Sequence, residues 1–327
     1  MKLRLSRLAF FTALAFSAAA HAQVIKGPGD YPNKPVRLVV PFVPGGPTDI
    51  QGRMLAEKMS QRFGQQVIVD NRGGANGNIG MEIVARAPAD GYTLVIATVG
   101  TWAVNPHLYT LPFDVTKDFT PITQVSLGSV LLTAPTAAPY ADLKGFVAWA
   151  KAQGRPITYG SWGVGSSANV YGEILAKDHG VSLTHVPYKG EQAAIADVIG
   201  GNLDLTFASP VGARPQVQAG KLKALGMTGP ARSAAMPDVP TFAEQGFKGF
   251  ELPIWVAAYA PAGTPKPIVD RLQREIAAVI RLPDVLPKMV DQGQTPLGNT
   301  PEEFAAAFAK DAPTWISYIK ASGAKPE

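Results

Sequence analysis

Short runs of β-branched and other apolar residues alternate along the chain with segments whose apolar positions recur at helical spacing. Val36 to Pro41 (VRLVVP) reads as a strand. After the loop Phe42 to Pro47, the pair Thr48-Asp49 starts a helix that places Ile50, Met54, Leu55, Met59 and Phe63 on one face. The same unit recurs with strands at Val67 to Val69, Thr93 to Ala97, Ile157 to Tyr159, Leu203 to Phe207 and Lys223 to Met227. Each is followed by Gly, Ser, Thr or Asn punctuation and a helical segment. Such alternation predicts an α/β architecture with largely parallel sheets. Two late stripes, Ile268, Val269, Leu272, Ile276, Val279 and Ile280, then Phe304, Phe308, Trp315, Ile316 and Ile319, read as core faces of C-terminal helices.

The N-terminus breaks this pattern. Lys2, Arg4 and Arg7 precede an apolar run from Leu8 to Ala20, and Ala20-His21-Ala22 offers a small-x-small cleavage site. The run is shorter than the roughly twenty residues that a membrane span needs, so residues 1–22 are expected to be a signal peptide, with the mature chain starting at Gln23. Three basic residues would leave with it, so the formal +5 overstates the basicity of the mature chain. The later apolar runs, Ser129 to Ala138 and Leu252 to Ala262, are short and interrupted by proline, and no cysteine follows the signal to carry a lipid. A periplasmic location is expected if the source is Gram-negative. With no cysteine at all, disulfides, thiolate metal sites and a cysteine nucleophile are excluded. Charged residues make up 17% of the chain and form no like-charge blocks, which argues against a nucleic-acid partner.

Candidate chemistry concentrates in loops that join strands to helices. Pro41 to Asp49 (PFVPGGPTD) and Tyr159 to Ser167 (YGSWGVGSS) both place glycines and hydroxyls just before a helix start, and Asn71 to Gly80 (NRGGANGNIG) has the same character. Backbone N–H groups and an electropositive helix terminus favour an anion there, and ligands of open α/β sheets sit at the carboxyl ends of strands. Glycines that serve only tight turns give the same pattern. Phosphate-loop, dinucleotide, zinc-protease and nucleophile-elbow motifs are all missing. His107, His179 and His185 show no ligand-like spacing, so neither cofactor nor metal is expected. A Ser161, His185 and Asp204 set can be assembled on paper for a secreted hydrolase acting through Ser161 or Ser166.

The succession VVPFVPGGPTD (Val39 to Asp49), VDNRGGANGNIG (Val69 to Gly80), NPHLY (Asn105 to Tyr109), YGSWGVGSSAN (Tyr159 to Asn169), VPYKG (Val186 to Gly190), GNLDLTFAS (Gly201 to Ser209), PDVPTFAEQG (Pro237 to Gly246) and APAGTP (Ala260 to Pro265) resembles the Bug-type extracytoplasmic solute receptors. These are the binding-protein partners of tripartite tricarboxylate transporters. The resemblance implies a two-lobed Venus-flytrap protein, a monomer without catalytic residues, in which each lobe is an α/β sheet flanked by helices. It implies a first lobe of residues 23–123 and 239–327 and a second of 124–238, with crossings near Thr123 to Val125 and Pro237 to Pro240. It further implies a small organic carboxylate in the cleft, passed to a membrane permease, or else presented to a signalling partner.

Carried over by residue, the grip falls on Gly45, Gly46, Thr48 and Asp49 from one lobe and on Ser161, Gly163, Val164, Gly165 and Ser166 from the other. Asn78, Thr98 and Thr101 complete the first wall. Asp49, an anion itself, is expected to cap the helix or position water rather than touch the ligand. Relatives commonly carry a small residue at Trp162 and a histidine near Trp102 and Asn169. Two indoles beside the cleft would suit a planar ligand, such as an aromatic mono- or dicarboxylate; packing between helices is the other use for them. Ala208 stands where many relatives have an acid, which disfavours amino acids.

Overall fold

The structure, a computed structural model, describes residues 31–322. The expected signal segment, residues 1–22, lies outside them. The first part of the chain runs β1 (Val36–Val40), α1 (Pro47–Phe63), β2 (Val67–Asn71), α2 (Asn78–Ala85), β3 (Thr93–Thr98), α3 (Asn105–Leu108) and β4 (Phe119–Gly128). The middle runs β5 (Leu131–Pro135), α4 (Leu143–Lys151), β6 (Ile157–Ser161), α5 (Ser167–His179), β7 (Leu183–Pro187), α6 (Glu191–Ile199), β8 (Leu205–Ala208), α7 (Pro210–Gln218) and β9 (Leu222–Met227). The chain returns through β10 (Ile254–Pro261), α8 (Lys266–Val279), α9 (Leu286–Asp291), β11 (Thr295–Pro296) and α10 (Pro301–Ser322). No helix among the described residues is long and apolar enough to cross a membrane.

Two sheets result, one per lobe. The first has the order β11-β4-β10-β3-β1-β2 and the second β7-β6-β8-β5-β9. The β-α-β units foreseen from the alternating pattern supply the parallel ladders of β1 with β2 and β3, and of β6 with β7 and β8. The strands that carry the chain between lobes add antiparallel ladders: β10 with β3 and β4, and β5 with β8 and β9. Strand periodicity divides the first sheet between two cores. Val39, Val95 and Ala97 face one cluster, while Leu38, Val40, Leu94 and Ile96 face another with Leu55 and Leu272.

The crossings differ from the expected positions. Thr123 and Val125 are buried in the middle of β4, whose ladder with β10 continues until Gly128 meets Ile254. The chain leaves the first sheet only at Ser129 and Val130. Pro237 to Pro240 lie against the second sheet, where Met227 N–H donates to the Pro240 carbonyl at 3.0 Å. Phe242 and Phe250 stay in that lobe's core, with ring centroids 4.5 Å apart, so the return passes through Glu251 to Pro253. The two crossings are neighbours because β4 and β10 are paired strands.

The C-terminal helix α10 belongs to both lobes. Phe304 packs on Trp255 and Tyr259 of β10, and Trp315 lies 5.7 Å from Tyr171 of α5. One cluster therefore holds Val39 and Trp102 from the first lobe, Tyr159 and Phe207 from the second, and Phe304, Trp315 and Ile319 from α10.

Candidate functional site

The amino ends of α1 and α5 face one another across the cleft. Gly46, Pro47 and Thr48 at the start of α1, and Ser166 and Ser167 at the start of α5, line a cavity of about 110 Å³ between the lobes. The first N–H groups of a helix have no intrahelical acceptor, and the peptide dipoles add partial positive charge. Two such ends meeting in one enclosure make it receptive to an anion. Thr98 and Gly100 close the first-lobe side, Phe42, Val99, Ile254, Trp255 and Val256 give it apolar walls, and Trp162 covers it from the second lobe.

A wider chamber of about 800 Å³ adjoins it. The two share Phe42, Val43, Asn76, Trp162 and Lys189, so the Trp162 indole stands at their junction. Gly163 and Val164 line the outer chamber. The lobes touch here: the Tyr109 hydroxyl donates to the Val164 carbonyl at 3.0 Å. Gly165 approaches so closely that a Cβ there would lie 2.8 Å from Leu108 Cδ1 and 3.3 Å from Asn105 Oδ1, and its φ of +79° also favours glycine.

Of the residues expected to grip a ligand, Gly46, Thr48, Thr98, Trp162 and Ser166 come together around the inner cavity. Asp49, Asn78, Thr101, Ser161 and Gly165 lie behind its surface and hold the loops, while Gly45 is exposed at the turn of the first loop. Asp49 is buried and accepts from Gly45 N–H (2.8 Å), Arg53 Nε (2.9 Å) and Asn71 Nδ2 (2.8 Å). Burial works against its ionisation, but those hydrogen bonds win and hold the carboxyl below its ordinary range. Thr101 Oγ1 donates to the Thr98 carbonyl at 2.8 Å, turning the end of β3. Asn78 Oδ1 accepts from Asn105 Nδ2 at 2.6 Å, and Asn76 Nδ2 donates to Asn105 Oδ1 at 2.7 Å. This joins the NRGGANG loop to the NPHLY segment.

The second loop is fastened by neutral groups. Ser166 Oγ caps α5 by accepting from Asn169 N–H (3.2 Å) and donates to the Gly163 carbonyl (2.7 Å). Asn169 Oδ1 accepts from Gly165 N–H at 3.0 Å. Ser161 Oγ lies 2.6 Å from His185 Nε2, so two members of the paper hydrolase set do meet. Asp204 does not join them. Its carboxylate is held by Arg155 Nη1 and Nη2 (2.7 and 2.6 Å) and by Thr158 N–H (2.8 Å). Ser161 is fully buried, and burial pushes His185 down to about 4, leaving a neutral imidazole beneath the loop. Trp102 is no cleft residue: it stacks on Tyr259 at 4.0 Å and meets Phe119 and Phe308 edge-on.

The inner cavity also contains residues not foreseen from the sequence. Lys189, Gly190 and Glu191 enter it at the start of α6, opposite Val43, and Ser209 enters at the end of β8. Glu191 is buried. Its Oε2 accepts from Ser209 N–H and its Oε1 from Ser209 Oγ, both at 2.8 Å. An acid in the first turn of a helix ordinarily favours the macrodipole, so sequence alone points to a surface role. Among the described residues no cluster of His, Asp and Glu could hold a metal ion.

Comparisons with known proteins show the family and the fold. Residues 52–323 match the family described as tripartite tricarboxylate transporter family receptor. The structure of the periplasmic binding protein BugD superposes with a TM-score of 0.84 at 36% identity, covering 91% of this chain and all of that one. Rpa4515 of R. palustris with adipate gives 0.86 at 33%, with 91% and 100% covered. MatC from Rhodopseudomonas palustris with bound malate gives 0.82 at 31%, with 88% and 100% covered.

Proposed function

The chain belongs to the tripartite tricarboxylate transporter receptor family, and from that premise we propose that it is a periplasmic receptor. It captures a small organic carboxylate between its lobes and delivers it unchanged to the membrane permease of such a transporter. The observation that carries this reading is the convergence of two helix amino ends, one from each lobe, on a single cavity. A carboxylate placed there takes hydrogen bonds from neutral backbone and hydroxyl donors, and the one cation among the lining residues, Lys189, is exposed on the rim, which leaves the anion releasable. That two relatives hold adipate and malate supports the ligand class.

Gly46, Thr48 and Ser166 are the primary contacts, with Thr98 completing the wall. Gly163 and Val164 form the outer lip, while Gly45, Asp49, Asn78, Thr101, Ser161 and Gly165 hold the donors in place. Trp162 offers an aromatic face, and the enclosure is of the order that admits one ring, since an apolar cavity of about 150 Å³ takes up benzene. The chain thereby suits a ligand with a flat apolar body. Closure follows hinge bending at the paired crossings.

A titration of purified protein with a carboxylate panel tests the grip. Thr48→Ala combined with Ser166→Ala is expected to weaken affinity by about tenfold or more, the scale of one lost hydrogen bond to a charged group; unchanged affinity sinks it. If aliphatic acids bind and benzoate-type acids do not, the stacking role of Trp162 is wrong. Turnover of esters by the protein would favour the hydrolase instead.

A further inference from the structure

The acid in the inner cavity carries one step more, resting on the receptor reading above. Glu191 is 5% exposed and lines the same enclosure as the two helix ends. Each of its oxygens accepts one hydrogen bond, from Ser209 N–H or Ser209 Oγ, and each keeps further acceptor capacity. No basic side chain pairs with it: its surroundings act through burial, which pushes the carboxyl up, and through Ser209, which opposes that. Elsewhere in the same cavity Ile254, Trp255 and Val256 give apolar walls, and Lys189 is exposed on the rim. The Ser209 donors and the amino ends of α6 and α7 hold this buried acid, and its remaining acceptor sites are open to a donor that enters the cavity.

We propose that Glu191 is the specificity-determining residue of this receptor: it accepts a hydrogen bond from a hydroxyl or amino group at the end of the ligand opposite the gripped carboxylate. The ligand class is therefore a monocarboxylate with a donor at its far end. A second carboxylate at that end is turned away, because two like charges would be forced together out of water. Glu191 also supplies an acid in place of the one missing at Ala208, and it reaches the cavity from a helix start rather than from the strand.

Isothermal titration with matched probes tests this. The wild-type protein is expected to bind 4-hydroxybenzoate or 6-hydroxyhexanoate about tenfold or more tightly than terephthalate or adipate, a modest share of the several kcal/mol that like-charge juxtaposition costs. Glu191→Gln, which keeps the shape and an acceptor for Ser209, should bring the two series within about threefold, chiefly by improving the dicarboxylates. Dicarboxylates that bind the wild type as tightly as the hydroxy acids overturn the proposal, and so does a ratio that Glu191→Gln leaves unchanged. If the variant fails to fold, the wild-type ratio still decides. Binding of neither series would count against the carboxylate-receptor function itself, an outcome distinct from a lost preference.

Discussion

The two loops that meet at the cleft share a backbone plan and differ in what fastens them. Each follows a strand with parallel neighbours on both sides, β1 or β6, and turns through positive-φ glycines, Gly45 or Gly163 and Gly165, into a helix start. Behind the first loop stands an ionised group, Asp49, with Arg53 on its outer side. The second is fastened directly by neutral groups, Asn169 and the Ser161–His185 pair, and the acid Glu173 lies one hydrogen bond further back, on Asn169 and Tyr159. The task of presenting amides to an anion constrains the surface of a loop and leaves its reverse free. A carboxylate is tolerated a few ångströms from an anion site provided that its charge is spent on donors facing away from the cavity.

Acid separates the two loops most strongly. His185 is held down to about 4 by burial against an ordinary 6.5, so the unfolded chain takes up the proton first. Its contribution is complete above pH 6.5 and is lost as the pH falls toward 4, to the extent of roughly 3 kcal/mol. Asp49 is held below its ordinary 3.8, so its contribution is present above that pH and is lost only as the pH drops further. Urea unfolding between pH 7 and 4 should thus show a slope that His185→Gln reduces, leaving the part owed to His179 and the paired carboxylates. An identical slope in the variant would erase the distinction between the loops. A smaller effect is expected from Asp49→Ala, which strands the Gly45 N–H and the Asn71 amide and should cost roughly 2 kcal/mol at pH 7, read from the denaturation midpoint. Smallest is Ser166→Ala, which removes the α5 cap for about 1 kcal/mol and, having no titrating group, should cost the same at pH 5 as at pH 7.

Much of this was legible before any coordinates. Strands such as VRLVV and TLVIAT declare themselves by local apolar runs, and the glycine loops behind them by composition; both are short-range signals. What stayed hidden depends on partners far along the chain. Phe119 to Gly128 carries Pro121, Gln124 and Ser126 and has no clean period, yet it becomes a ten-residue strand because β10 lies beside it. That pairing moved the crossings to Ser129 and Val130. Trp102 and Trp162 looked equivalent until Tyr259 supplied one of them with a stacking partner. Glu191 resembled any acid at a helix start, and only the fold shows that Gly212 packs so near its carboxylate that a Cβ there would lie 2.6 Å from Oε1. A solvated charge and a buried one look the same in sequence.

The helix α10 has a consequence for the order of assembly. Its Phe304, Trp315 and Ile319 complete a core that also contains Val39 of the first strand. No stretch much shorter than the whole described chain can close that core, and contacts of such long sequence separation form slowly. With α10 as its keystone, this core stays loose until segments as far apart in the sequence as Val39 and Ile319 have come together.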